Sequence, residues 1–278
     1  MASAPTGAGV YFFLSPAREL LYVGKAGNLR SRLGQHAKGG GRLGGLYDRA
    51  AEVRWEEHPS EEAAVCREAD LLVALQPPYN ASGSLGGWRW VVVEGDTFGC
   101  VASSTGKGRY GRFPHLGPGQ GSRPGVACTD GYPALLRLLW AAAGDAPFPS
   151  ALGKGCPERA TVPVADDLRR PLHDFLSGTS RRLLDLVASR LDHREPFEQP
   201  ALRRDHGAAG AFFDHGPAAL RAVRRRHGLP AGPVSREQFS EAMRAEVRVL
   251  LGDGVVFPTP PDESVLGGRN ARSLRHTS

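Results

Sequence analysis

ELLYVGKAGNLRSRLGQH, residues 19–36, joins a β-rich run to a cluster of positive charge. Leu20, Leu21, Tyr22 and Val23 read as a buried strand that breaks at Gly24. Lys25, Asn28, Arg30, Arg32 and His36 follow, all hydrogen-bond donors or cations. Upstream, GVYFFL (9–14) is a second β-rich run, separated from the first by SPAR alone. So short a connector predicts an antiparallel hairpin. Asn28 is a good N-cap for a helix from Leu29 to about Ala37, with Leu29 and Leu33 one turn apart. GGGRLGG (39–45) reads as a flexible loop and AEVRWEEH (51–58) as a third strand. Ser60 then caps a helix whose first turn holds Glu61 and Glu62, where the helix dipole favours acids. Pro77-Pro78 stops it. Residues 9 to about 80 therefore predict one compact mixed α/β unit.

The chain's 278 residues suffice for one large domain or two small ones, and 41% hydrophobic with 23% charged residues is an ordinary globular balance. No run approaches the ~18 apolar residues of a membrane span. The first residues lack the basic and apolar regions of a signal peptide, so the expected location is cytoplasmic, with no membrane partner. A net charge of +6 and a pI near 9.4 favour phosphate-rich partners. Only Lys25, Lys38, Lys107 and Lys154 among the 35 basic residues are lysines. Arginine forks phosphate, although a GC-rich genome also favours it. Cys66, Cys100, Cys128 and Cys156 form no CxxC pair, which argues against a zinc ribbon.

Ala64, Val65, Leu71, Leu72 and Leu75 make an apolar stripe on the Ser60-capped helix, and Glu68 falls on that stripe. An inward acid needs a partner, either an arginine in a structural ion pair or a cation. Tyr11 and Tyr22 lie on neighbouring strands and can project near the same sheet end. Arg32 and His36 share a helix face, and that helix opens with free backbone N–H groups suited to an anion. Two tyrosines, a lysine, an arginine and one inward glutamate are a set able to cut a phosphodiester.

GVY (9–11), YVG (22–24), KAGNLRSRL (25–33), Glu68 and PPYN (77–80) together resemble a GIY-YIG nuclease domain, and more closely the N-terminal nuclease of the UvrC and Cho excision-repair endonucleases. The resemblance covers residues 7–82. It implies an α/β (α+β) fold, with a small antiparallel three-stranded sheet flanked by helices. It also implies one divalent metal, Mg or Mn, held by Glu68. Tyr11 or Tyr22 would help activate water, while Lys25 and Arg32 would bind or polarise the phosphate. Asn28 and Arg30 would support the helix, Asn80 would lock the end of the domain, and Gly24 would admit the DNA backbone. His36 stands where UvrC-type domains often have tyrosine. It would be a second proton carrier or a hydrogen-bond partner of a tyrosine.

Further along, residues 83–160 read as a Gly-rich β and linker region ending in a helix, 165–252 as helical, and 258–278 as a disordered tail. RYGRFPHLG (109–117) resembles the segment that follows the nuclease domain in UvrC, and FLSGTSRRLLDLVASRL (175–191) and PFEQPALRRDHGAAGAF (196–212) are similar to the UvrC region that leads into its UvrB-binding helical hairpin. UvrB is therefore an expected partner beside damaged duplex DNA. The UvrC cysteine cluster is missing, so no iron–sulfur cluster is expected. The implied activity is a single incision, 3′ of a lesion. A stand-alone structure-specific or defence nuclease, or a silent DNA- or UvrB-binding module, are the rival readings.

Overall fold

The computed structural model describes residues 4–38, 45–80, 89–94, 97–102, 110–113, 127–144, 159–192 and 198–259. The two predicted strands form a hairpin. β1 (Gly9–Leu14) pairs antiparallel with β2 (Leu20–Ala26), Tyr11 opposite Gly24 and Phe13 opposite Tyr22. The strand does not break at Gly24, as its residue types suggested. It runs on to Ala26, because β1 begins at Gly9 and supplies ladder partners that far. After Asn28 comes α1 (Leu29–Ala37), and a short α2 (Leu46–Arg49) was not foreseen. β3 (Glu52–Glu57) pairs with the other edge of β1, giving a three-stranded antiparallel sheet in the order β2-β1-β3. α3 (Glu61–Leu75) starts at the Ser60 cap, whose hydroxyl accepts from the Ala63 N–H.

All six residues of β1 are buried, as a central strand covered on both faces requires. Alternation divides them. Val10, Phe12 and Leu14 join α3 in the large core, whereas Tyr11 and Phe13 face the other way, with Leu29, Leu33 and Leu46 from α1 and α2. The second face carries the tyrosines of the candidate site, and α3 reaches the site from the first. Gly9 is required here by close approach: a Cβ would lie 2.4 Å from the Glu56 carbonyl and 2.6 Å from Leu29.

Beyond this unit, β4 (Arg89–Glu94), β5 (Thr97–Ala102), β6 (Tyr110–Phe113) and β7 (Arg159–Pro163) make a second antiparallel sheet in the order β6-β4-β5-β7. The helices are α4 (Ala127–Ala142), α5 (Asp166–Leu176), α6 (Arg182–Leu191), α7 (Gln199–Phe213), α8 (Ala219–His227) and α9 (Arg236–Leu251). A π-helical turn with Pro217 joins α7 to α8. One apolar cluster runs from Phe12 and Leu71 through Leu135, Phe175 and Phe212 to Met243 and Val247. The expected boundary at 82–83 and nearly all of the expected tail lie outside the described residues, as do Lys107, Arg109 and Cys156. Among the described residues no helix is long and apolar enough to cross a membrane.

Two further contacts tie the helical region to the small sheet. Arg67 of α3 donates to Glu56 at 3.2 Å and to Glu246 of α9 at 2.7 Å. Glu246 also takes Arg226 and His227, and Arg224 donates to the Gly232 carbonyl. Arg224, Arg226 and His227 are thus engaged within the protein. At the far edge of β2, the Leu20 N–H donates to the Val256 carbonyl and the Val256 N–H to the Arg18 carbonyl, so the chain after α9 covers the start of that strand.

Candidate functional site

Tyr11 and Gly24 are ladder partners, and Tyr22 is two residues back on β2, so both tyrosines emerge on one face. Their ring centroids are 6.0 Å apart. The Asn28 side chain accepts from the Ser31 N–H at 2.9 Å and starts α1 immediately after the sheet. That start sets Arg32 and His36, one turn apart, over the Tyr11 hydroxyl. Arg32 Nε donates to Tyr11 Oη at 3.4 Å, and His36 Nε2 lies 2.9 Å from the same oxygen. Arg30 donates to the Ala4 carbonyl at 2.7 Å, holding the N-terminal segment against the helix. Asn80 bonds both backbone groups of Val23, accepting from its N–H at 3.0 Å and donating to its carbonyl at 2.7 Å. The end of the unit is thereby locked onto β2, the strand that carries Tyr22, Gly24 and Lys25.

Glu68 reaches the cluster from α3. Its partner is not an arginine: Oε1 accepts the Lys25 backbone N–H at 3.0 Å. Burial pushes its carboxyl up to about 7, against the opposing pull of Lys25 and Arg32. Lys25 Nζ pairs with Glu61 Oε1 at 3.0 Å, a contact absent from the sequence reading, which saw Glu61 only as a first-turn acid. With Glu61 44% exposed, that pair is worth about 0–1 kcal/mol and yields readily to a phosphate.

Burial also raises both tyrosines. For Tyr11, the hydrogen bond and charge of Arg32 oppose the rise. Tyr22 is driven further up, because Tyr11 and Glu68 add to its burial. His36 is 3% exposed and sinks to about 4, from burial first and Arg32 second. It is a neutral imidazole between two hydroxyls, since Tyr47 Oη sits 2.6 Å from Nδ1. Tyr47 was missed by sequence reading: it sits on a four-residue helix too short to show periodicity.

Gly24 sits tightly between the two tyrosines. A Cβ there would meet Tyr11 Oη at 2.5 Å and Tyr22 Cε1 at 2.7 Å, so the close approach is that of the two tyrosines. Gly24→Ala is expected to push the rings apart and to cost about 1–3 kcal/mol, as overpacking does. Urea unfolding measures the loss, and near-ultraviolet circular dichroism reads the ring displacement.

Glu68 suits a hard divalent cation. Mg commonly uses only one or two protein carboxylates and takes its other oxygens from water and phosphate. Among the described residues no group of three or more His, Cys, Asp or Glu is gathered to hold a metal. A cation beside Glu68 would also offset the burial that now disfavours its charge.

A family model described as the UvrC-like GIY-YIG domain matches residues 7–81. Among curated proteins, UvrABC system protein C of Rhodopseudomonas palustris is 29% identical over 232 residues, covering 74% of this chain and 32% of that protein. The Rhizobium meliloti protein of the same name is 30% identical over 256 residues, covering 85% and 36%. The chain thus spans about a third of the length of the curated relatives it matches. A crystal structure of the GIY-YIG N-terminal endonuclease domain of UvrC from Thermotoga maritima, bound to magnesium, is 28% identical. It covers 29% of this chain and 90% of its own, with a TM-score of 0.27.

Proposed function

Because residues 7–81 form a UvrC-like GIY-YIG domain, we propose that this chain is a metal-dependent DNA endonuclease. It makes a single cut, on the 3′ side of a lesion, in nucleotide excision repair. One observation carries the reading: Tyr11, Tyr22 and Arg32 from one face of the sheet meet Lys25 and Glu68 from the α3 side around the outer edge of β2. The name of the relatives, UvrABC system protein C, supports loading onto DNA by UvrB. The working location is the cytoplasm, at the nucleoid.

Each residue has a task its environment supports. Tyr11 is the better general base of the two tyrosines, because a direct hydrogen bond from Arg32 is the main counterweight to its burial, whereas for Tyr22 the charges of Tyr11 and Glu68 outweigh the more distant pull of Arg32. Tyr22 packs beside Tyr11 and orients it. Arg32 keeps donors beyond the one on Tyr11 and stabilises charge on the phosphate. Lys25, released from Glu61, does the same from the opposite side. Glu68 would hold Mg or Mn, which supplies a Lewis acid for the phosphodiester oxygens. Asn28, Arg30, Gly24 and Asn80 set the positions of these groups.

The test uses a duplex with one bulky adduct, end-labelled on the damaged strand, incubated with the protein and Mg. A discrete product 3′ of the lesion that needs UvrA and UvrB is the expected result. Cutting without UvrB would place the chain among free-standing nucleases. Retention on UvrB-bound DNA without any cutting would make it a binding module.

A further inference from the structure

Three hydroxyl and imidazole groups form a chain that ends on the candidate base, and its outer member has no part in the scheme above. Tyr47 Oη is 2.6 Å from His36 Nδ1, and His36 Nε2 is 2.9 Å from Tyr11 Oη. A neutral imidazole has one donor and one acceptor, so only two arrangements exist. In one, Tyr47 donates to Nδ1 and Nε2–H donates to Tyr11. In the other, Nδ1–H donates to Tyr47 and Tyr11 gives its proton to Nε2.

The distances separate them. Hydroxyl donors make bonds of about 2.7 Å, and N–H donors bonds of about 2.9–3.0 Å. At 2.6 Å the Tyr47 contact is shorter than N–H donors make and fits a hydroxyl donor, which selects the first arrangement, and the 2.9 Å contact to Tyr11 is compatible with it. The surroundings keep His36 neutral: Arg32 from α1, Tyr11 and Phe13 from β1, Tyr22 from β2 and Tyr47 from α2 pack around it, and among the described residues no carboxylate is bonded to it.

We propose that Tyr47 is a positioning residue that fixes His36 as the Nε2–H tautomer, so that His36 donates to Tyr11 Oη. Tyr11 then receives donors from both Arg32 and His36, an arrangement that favours its deprotonated form. The opposite tautomer would commit the Tyr11 proton to His36. This inference rests on the endonuclease reading for its catalytic consequence, but the tautomer itself does not.

The test is a long-range 1H–15N spectrum of the full chain labelled with 15N-histidine, with the His36 signals assigned by their loss in His36→Asn. The wild type is expected to show protonated Nε2 and bare Nδ1. Tyr47→Phe keeps the ring against Phe13, 6.3 Å between centroids, and so keeps the packing. In that variant the pattern is expected to shift toward protonated Nδ1. Its kcat on a damaged duplex should fall on the order of tenfold, as for other groups that orient a reactive side chain through a hydrogen bond, with KM unchanged. Protonated Nδ1 in the wild type, an unchanged tautomer in Tyr47→Phe, or a shifted tautomer with unchanged kcat would each overturn the proposal. If the wild type cuts no substrate, the endonuclease reading fails, and the spectra alone still decide whether Tyr47 sets the tautomer.

Discussion

Glu68→Gln is expected to abolish cutting and, at the same time, to stabilise the protein in alkaline buffer without divalent cations. The two effects share one cause. The Glu68 carboxyl is held at about 7 by burial, well above its ordinary value near 4.5. Between those values the folded protein binds a proton that the unfolded chain has released. The stability this contributes is complete below pH 4.5 and is lost as pH rises through 7, at about 1.4 kcal/mol for each unit of difference. Glutamine keeps the oxygen that accepts the Lys25 N–H and never ionises. Wild type and variant should therefore unfold alike at pH 5, and the variant should be the more stable at pH 8, by about 1–3 kcal/mol. Adding Mg or Mn should close that gap by stabilising the wild type alone. Cleavage should fall by at least about a thousandfold in the variant, the loss expected when charge stabilisation is removed at the reacting centre. Urea melts at the two pH values, with and without metal, read the first effect. Single-turnover cleavage reads the second.

Arg32→Ala should cost about a hundredfold to a thousandfold in rate while leaving the fold intact. Arg32 is half-buried and hydrogen-bonds Tyr11 and the Gln35 side chain, and among the described residues it makes no ion pair that would be lost. Two things go at once: the fork toward the phosphate, and the donor and charge that oppose the burial of Tyr11. The second loss has a sign. Tyr11 becomes harder to deprotonate, so the activity that remains should rise only at a higher pH than in the wild type. Arg32→Lys restores charge but not the planar fork, and should recover part of the rate. Equal pH profiles for wild type and Arg32→Ala would remove Arg32 from the control of Tyr11.

Much of this site was legible because its signals are local. Asn28 and Ser60 cap helices where they were expected to, and each makes the predicted side-chain bond to the backbone. The SPAR connector set the hairpin, and the hairpin set Tyr11 and Tyr22 on one face. Glu68 was visible as an acid on an apolar stripe, but its partner was not, since a backbone N–H donor has no residue type to announce it. The end of β2 was misread for a similar reason: Gly24, Lys25 and Ala26 are poor strand formers, and pairing with β1 overrides their preference. Tyr47 and Glu61 enter the site only through contacts made across the fold. The order β6-β4-β5-β7 likewise depends on β7, a short segment some 57 residues after β5 whose pairing no local pattern reveals.

The most direct measurement is nicking of an end-labelled, adduct-bearing duplex under single-turnover conditions, wild type beside Glu68→Gln, first with Mg and then after chelation. With UvrA and UvrB present throughout, the expected result is one nicked product from the wild type with Mg, none after chelation, and none from the variant, with both proteins equally folded. An equal yield from Glu68→Gln would contradict the assignment of the reacting centre to the Tyr11, Arg32 and Glu68 cluster.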